Sequence, residues 1–305
     1  MRKTFMLIIT LFLLAASILL YADKIVFIKY PDFKLGFTTT IFTKSGYGPS
    51  LENEIKFIDY ASDKGYAWIE IRDANGILTV NECKAIAAYA KEKNLEIAYA
   101  TNRGPLDGDF WQVLGNAWRN GSVFTKGPRS VRTVDGGNTE FVNGKAAWTD
   151  TDFKKAIEIQ TNALAGIKDQ GLTLMAENAN LPVIGPNGME AFFDAIDPSF
   201  GFQFDTANMF AISKVRTDPK DAERVIRKLA PKIVYTHLKS SVNATQMPTL
   251  VDNELDFAVI FEILAKNKKN YIAIEIAQVE TYEEQLANLE KSVDYLVKKG
   301  FVSIK

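Results

Sequence analysis

Glu177, Asp205, His237 and Glu275 each close a short apolar run: LTLMAEN, FGFQFDTAN, IVYTHLK and YIAIEIA. Three carboxylates and one imidazole form a mixed oxygen and nitrogen donor set suited to a divalent metal, and the glutamates can also move protons. The four residues follow one another in steps of 28, 32 and 38 residues. One strand–helix unit of an eight-fold β/α barrel takes roughly 30 residues. In such a barrel the four side chains would stand side by side at the C-terminal mouth, where these folds do chemistry. Taken singly, a carboxylate ending a strand is more often a helix cap or salt-bridge partner, and a histidine more often a hydrogen-bonded core residue. Taken together, inward carboxylates on adjacent strands would repel one another without a partner, and a bound cation removes that cost. His237 is the chain's only histidine.

The elements that must position these residues are legible as an alternation. Strands are expected at 34–40, 67–73, 95–101, 129–136, 172–178, 201–208, 233–239 and 271–277. Helices are expected at 52–65, 80–94, 109–119, 151–171, 188–197, 218–231, 255–267 and 281–300, where hydrophobic residues recur with the helical period. Thr281 and Glu284 have the spacing of a capping box, and Gly300 suits a helix end. Eight units without a composition break predict an α/β fold, a single (β/α)8 barrel spanning 23–305. Within strands, side chains alternate between faces. Tyr271, Ala273 and Glu275 share one face, against Ile272, Ile274 and Ile276. Thr173, Met175 and Glu177 oppose Leu172, Leu174 and Ala176; Gln203 and Asp205 oppose Phe202 and Phe204; Ile233, Tyr235 and His237 share a face. The apolar sets suit the surrounding helices, so all four candidates point to the barrel axis.

The chain has 305 residues, 47% of them hydrophobic, with 36 basic and 37 acidic side chains and a net charge of −1. Such a balance provides no field to hold nucleic acid or an anionic membrane. Residues 1–22 stand apart. Arg2 and Lys3 precede a nearly pure apolar stretch from Phe5 to Leu20, and Ala22 offers a cleavage point before Asp23. This pattern reads as a secretory signal peptide, with an uncleaved anchor as the alternative. It predicts an exported, periplasmic or secreted protein without stable membrane insertion after cleavage. No cysteine follows the stretch, which excludes a lipoprotein anchor. The single cysteine, Cys83, fits a small buried hydrophobe in a helix.

Glu70 and Arg72 share the inward face of the second strand and are expected either to meet substrate hydroxyls or to pair with each other. Arg132 on the fourth strand is a candidate hydroxyl or anion contact. Asn178, Asn180 and Asn208 flank the donor residues and suit a polyol. Residues 102–128 are rich in glycine and proline around Trp111 and Trp118. The tryptophans suit the core, and the loop around them is where a lid would lie.

The succession MAENAN, FDTAN, YTHLK and IAIEIA resembles the xylose-isomerase-like TIM barrels, the sugar phosphate isomerase/epimerase group, from about the first strand to the C-terminus. The resemblance implies one divalent ion, manganese, magnesium, cobalt or zinc, bound by Glu177, Asp205, His237 and Glu275. It also implies a proton shuttled by Glu177 and Glu275, with Lys239 of the His-x-Lys motif among the substrate contacts. The epimerases usually carry histidine where this chain has Asn208, and aspartate where it has Ser240. A single histidine does not support the three-zinc chemistry of the AP endonuclease branch. The expected activity is therefore isomerisation or epimerisation of an unphosphorylated, small-molecule carbohydrate. A keto-glycoside lyase using the same enolisation is the nearest rival, and a non-catalytic sugar-binding barrel the rival of another class. Oligomerisation is left open.

Overall fold

The computed structural model describes residues 24–136, 141–142, 145–146, 149–167, 170–210 and 217–305. The expected signal peptide, residues 1–22, lies outside them. Eight strands form a closed, all-parallel barrel: β1 Lys34–Thr38, β2 Trp68–Arg72, β3 Glu96–Ala100, β4 Ser130–Val134, β5 Thr173–Glu177, β6 Gly201–Asp205, β7 Ile233–Leu238 and β8 Tyr271–Ile274. They pair in chain order, and β8 returns to β1. Among the described residues, eight helices cover the outside: α1 Leu51–Asp63, α2 Val80–Glu92, α3 Phe110–Gly121, α4 Asp150–Ile167, α5 Met189–Ala195, α6 Pro219–Leu229, α7 Phe257–Lys266 and α8 Tyr282–Lys298. Among the described residues no helix is long and apolar enough to cross a membrane.

Strands covered on both faces read as buried throughout, and every residue of β2 and β6 is buried. The outward set, including Ile69, Ile71, Phe202, Phe204, Ile272 and Ile274, joins the large core between barrel and helices. The inward set forms a separate small cluster, Trp68, Ala98, Met175, Tyr235 and Ala273, inside the barrel. These are the residues two positions before Glu70, Glu177, His237 and Glu275, with Ala98 from β3 filling the same layer. The period of two therefore builds an apolar layer beneath a polar one. Trp68 fills the lower layer and donates its indole N–H to the Lys34 carbonyl at 3.0 Å. That fit requires Gly36 on β1. A Cβ there would lie 2.4 Å from the Trp68 carbonyl oxygen and 2.8 Å from its ring.

Local chemistry sets several boundaries. The run 34–40 stops at Thr38, where the Thr38 hydroxyl caps a short 3₁₀ helix, Thr39–Phe42; threonine side chains compete with the strand ladder in this way. Thr79 and Glu82 form a reciprocal capping box at α2, and the Thr281 hydroxyl accepts from the Glu284 amide at 3.3 Å. At the opposite end from the mouth, short antiparallel strands Ile25–Phe27 and Val302–Ile304 pair the two ends of the domain.

Candidate metal centre

Glu177 and Asp205 are the last residues of β5 and β6, His237 is the penultimate residue of β7, and Glu275 follows β8 directly. The Glu275 amide bonds the Leu238 carbonyl at 3.0 Å, which continues the barrel geometry one residue beyond the strand. One donor atom from each of the four lies within 4.8 Å of all the others. An ion with bonds of about 2.1 Å has a ligand sphere about 4.2 Å across, so donors up to 4.8 Å apart need to close only slightly around one. Asp205 and His237 are fully buried, Glu177 nearly so, and the Glu275 side chain retains 12% exposure. The buried Nδ1 of His237 and Oε2 of Glu275 have no hydrogen-bond partner and crowd against each other. Two lone-pair donors aimed at one point fit a metal better than they fit each other.

The surroundings hold each donor in place. Asp205 accepts the Ala207 and Asn208 amides on Oδ1 at 2.8 and 2.9 Å, and its Oδ2 meets Lys239 Nζ at 2.9 Å. Lys239 also stands 3.3 Å from Glu275 Oε1. Glu177 receives Asn208 Nδ2 on Oε1 at 3.1 Å, and its Oε2 contacts the Arg132 guanidinium. The electrostatics follow. Burial works against the charged forms of Glu275 and Lys239, yet Lys239 and His237 hold the Glu275 carboxyl well below its ordinary value. Asp205 and Glu275 in turn raise Lys239. Burial likewise opposes an imidazolium at His237, but Glu70 and Glu275 outweigh it and raise its pKa above the ordinary 6.5. Burial and the neighbouring Arg72 lower Arg132 to about 10.

A cavity of about 630 Å³ opens above the cluster, a size typical of small-molecule sites. Arg72, Arg132, Glu177, Asn180, Asn208, Lys239 and Glu275 line it. Of the two roles expected for Glu70, pairing with Arg72 is the one the structure shows, and Asn178 is placed otherwise than expected. Glu70 does not reach the cavity. It is fully buried, accepts Arg72 Nε at 3.0 Å and contacts His237 with its other oxygen. Asn178 is also turned away from it. Its amide brackets the Asp205 backbone, accepting from N–H at 2.7 Å and donating to C=O at 3.0 Å. Trp118 packs on the core, whereas Trp111 is 54% exposed. Cys83 is buried and free.

Sequence reasoning missed part of the wall. Asn102, Arg103, Asp107 and Asp109 enter from the loop after β3, and Gln246 from a hairpin after β7. The glycine-rich stretch signalled the first group. Asn102 is the closest linker, since its Oδ1 accepts from both Arg72 and Arg132. Gln246 had no signal; it reaches Asn208 Oδ1 at 3.3 Å because Asn243 and Ala244 adopt positive φ and turn the hairpin tightly.

This barrel, with a donor cluster at its C-terminal mouth, agrees with the comparison of families. Residues 132–298, more than half of the chain, match the model of the xylose isomerase-like TIM barrel family, and the chain belongs to that family. Among curated proteins none matches the sequence. Solved structures do. The D-allulose 3-epimerase from Methylomonas sp. is 16% identical with a TM-score of 0.66, the match covering 90% of this chain and 99% of that one. The D-psicose 3-epimerase from Clostridium cellulolyticum H10 is 12% identical with a TM-score of 0.60, covering 88% and 96%. A sugar phosphate isomerase/epimerase from Parabacteroides distasonis ATCC 8503 is 16% identical with a TM-score of 0.60, covering 89% and 98%. Likeness at such identities is likeness of fold, and function has to be argued from the site.

Proposed function

We propose that this chain is a metal-dependent isomerase or epimerase that acts on an unphosphorylated carbohydrate by moving a proton next to a carbonyl. One observation carries the reading. Of the four donors, only Glu177 and Glu275 line the cavity, while Asp205 and His237 lie fully buried. The first pair can therefore serve both ion and substrate, and the second pair the ion alone. A divalent ion bound there would supply Lewis acidity toward a carbonyl and its neighbouring hydroxyl. The proton work falls to the glutamates. Glu275, a carboxylate at the edge of the cavity, can accept a proton from carbon. Glu177, fixed by Arg132 and Asn208, faces the cavity from β5 and can return one from another direction. Arg72, Asn180 and Asn208 present donors to hydroxyl groups.

The choice of a neutral sugar has its own support. The four cationic side chains that line the cavity all have acidic partners: Arg72 with Glu70, Arg103 with Asp109, Arg132 with Glu177 and Lys239 with Asp205. A phosphate would compete with these carboxylates for the same cations. Structural neighbours described with D-allulose and D-tagatose are consistent with a free ketose. The apolar N-terminal stretch, read as a signal peptide, supports an activity outside the cytoplasm.

The test is incubation of the manganese-, cobalt- or magnesium-loaded protein with free ketoses and keto-glycosides in heavy water. Proton spectra of recovered sugar should show deuterium at one carbon next to the carbonyl. Glu177→Gln and Glu275→Gln should each abolish turnover, because an amide cannot accept the proton. Turnover without solvent-derived hydrogen would exclude the proton mechanism, and full activity in both glutamine variants would exclude these residues. Loss of an aglycone with the same labelling would identify the lyase variant of the chemistry.

A further inference from the structure

A neutral imidazole carries its proton on one nitrogen and its lone pair on the other, and the hydrogen bond at one fixes the role of the other. The two ring nitrogens of His237 face different surroundings. Nδ1 points to the donor cluster, 3.7 Å from Glu177 Oε1 and against Glu275. Nε2 points away from it, against Oε2 of Glu70. Glu70 is fully buried and stands outside the four-residue donor cluster, and its second oxygen is taken by Arg72 Nε at 3.0 Å. Arg72 is itself braced by Asn102 and lies 3.8 Å from Glu275. Glu70 is therefore cut off from the substrate cavity and occupied on both oxygens, yet in contact with the single nitrogen donor of the cluster.

We infer that Glu70 is a positioning residue. It accepts the Nε2–H of His237 and so keeps the Nδ1 lone pair directed at the metal. The inference rests on the metal-binding reading of the site proposed above. The opposite tautomer would set an N–H between His237 and Glu275, bonding the ring to a carboxylate and removing the nitrogen from the ligand set. Carboxylate partners of this kind orient ligating histidines in general, and their loss costs about 10–100-fold in metal affinity.

The chain's single histidine makes the test direct. Nitrogen-15 labelling of histidine yields one imidazole in the unaltered protein. With zinc or magnesium bound, a neutral ring is expected with the proton on Nε2 and Nδ1 unprotonated. Manganese affinity, measured by calorimetry, should fall about 10–100-fold in Glu70→Ala. Glu70→Gln retains an amide oxygen to accept the N–H and should recover part of the loss. In a His237→Ala background, Glu70→Ala should cost nothing further, because its effect passes through the ring. A proton found on Nδ1, wild-type affinity in Glu70→Ala, or an equal loss with and without His237 would each overturn the role of Glu70 while leaving the metal reading intact. A wild-type protein that binds none of manganese, cobalt or zinc would overturn both.

Discussion

At the scale of single residues, the centre is a balance between charges that want a cation and a side chain that can supply one. Without an ion, His237 is the group able to become positive among Glu70, Glu177 and Glu275, and its raised pKa reflects this. A metal must displace that proton. Its affinity should therefore fall as pH falls through the raised value, starting above 6.5 rather than below it. Manganese titrations from pH 8.5 to 5.5 check the sign; an affinity constant down to pH 6 would contradict it. The same shift acts on stability in reverse. A group whose folded pKa is raised stabilises most below its unfolded value and loses that contribution as pH rises through the folded one. The metal-free protein should thus gain from His237 at low pH, where the loaded protein loses its ion. His237→Ala should reduce metal content sharply and leave the barrel folded, since the side chain lies at the mouth rather than in the lower, stabilising layer.

At the scale of elements, two contacts decide how the strands and the first helix meet. β1 approaches β2 closely only because residue 36 lacks a side chain beneath Trp68. Gly36→Ala would drive a methyl group into backbone and ring together. A loss of about 1–3 kcal/mol or more is expected in denaturant unfolding, whereas alanine at Gly115, which has open space, should cost far less. On α1, Glu54 is fully buried against Thr39, with Oε2 unpaired. Burial raises its pKa to about 8, with Asp73 adding to the rise and Thr39 opposing it. The unfolded chain ionises this group near 4.5, so its contribution is fully present below that value and lost as pH rises toward 8. Glu54→Gln should leave the Tm unchanged at pH 4 and raise it by several degrees at pH 8. A variant less stable than wild type at pH 8 would show that Glu54 needs its charge.

At the scale of the whole molecule, the barrel joins its two ends on the face opposite the cavity. Lys24 and Lys305 bond to each other through the backbone there, far from the mouth. We expect the native protein to begin near Asp23 and to fractionate outside the cytoplasm, which N-terminal sequencing of each fraction checks. A soluble cytosolic chain that retains Met1 would contradict export.

Much of this was legible in the order of residues, and for a physical reason. Strand and helix periods are local properties, so the alternation of units, the inward face of each strand and the polar residues that close four of them were readable one segment at a time. The four donors come together because the barrel repeats one unit at a nearly constant length. What the residues alone left open was distance across the barrel. Glu70 and Arg72 were equally able to meet a substrate or each other, and both stand on the inward face of β2. Only closure of the sheet put Glu70 against His237, 167 residues away, and left Arg72 on the cavity wall. The same closure buried Lys239 between Asp205 and Glu275 and swung Gln246 onto Asn208. Periodicity assigns a side chain to a face; the register and curvature of the closed barrel decide which side chains on that face can touch.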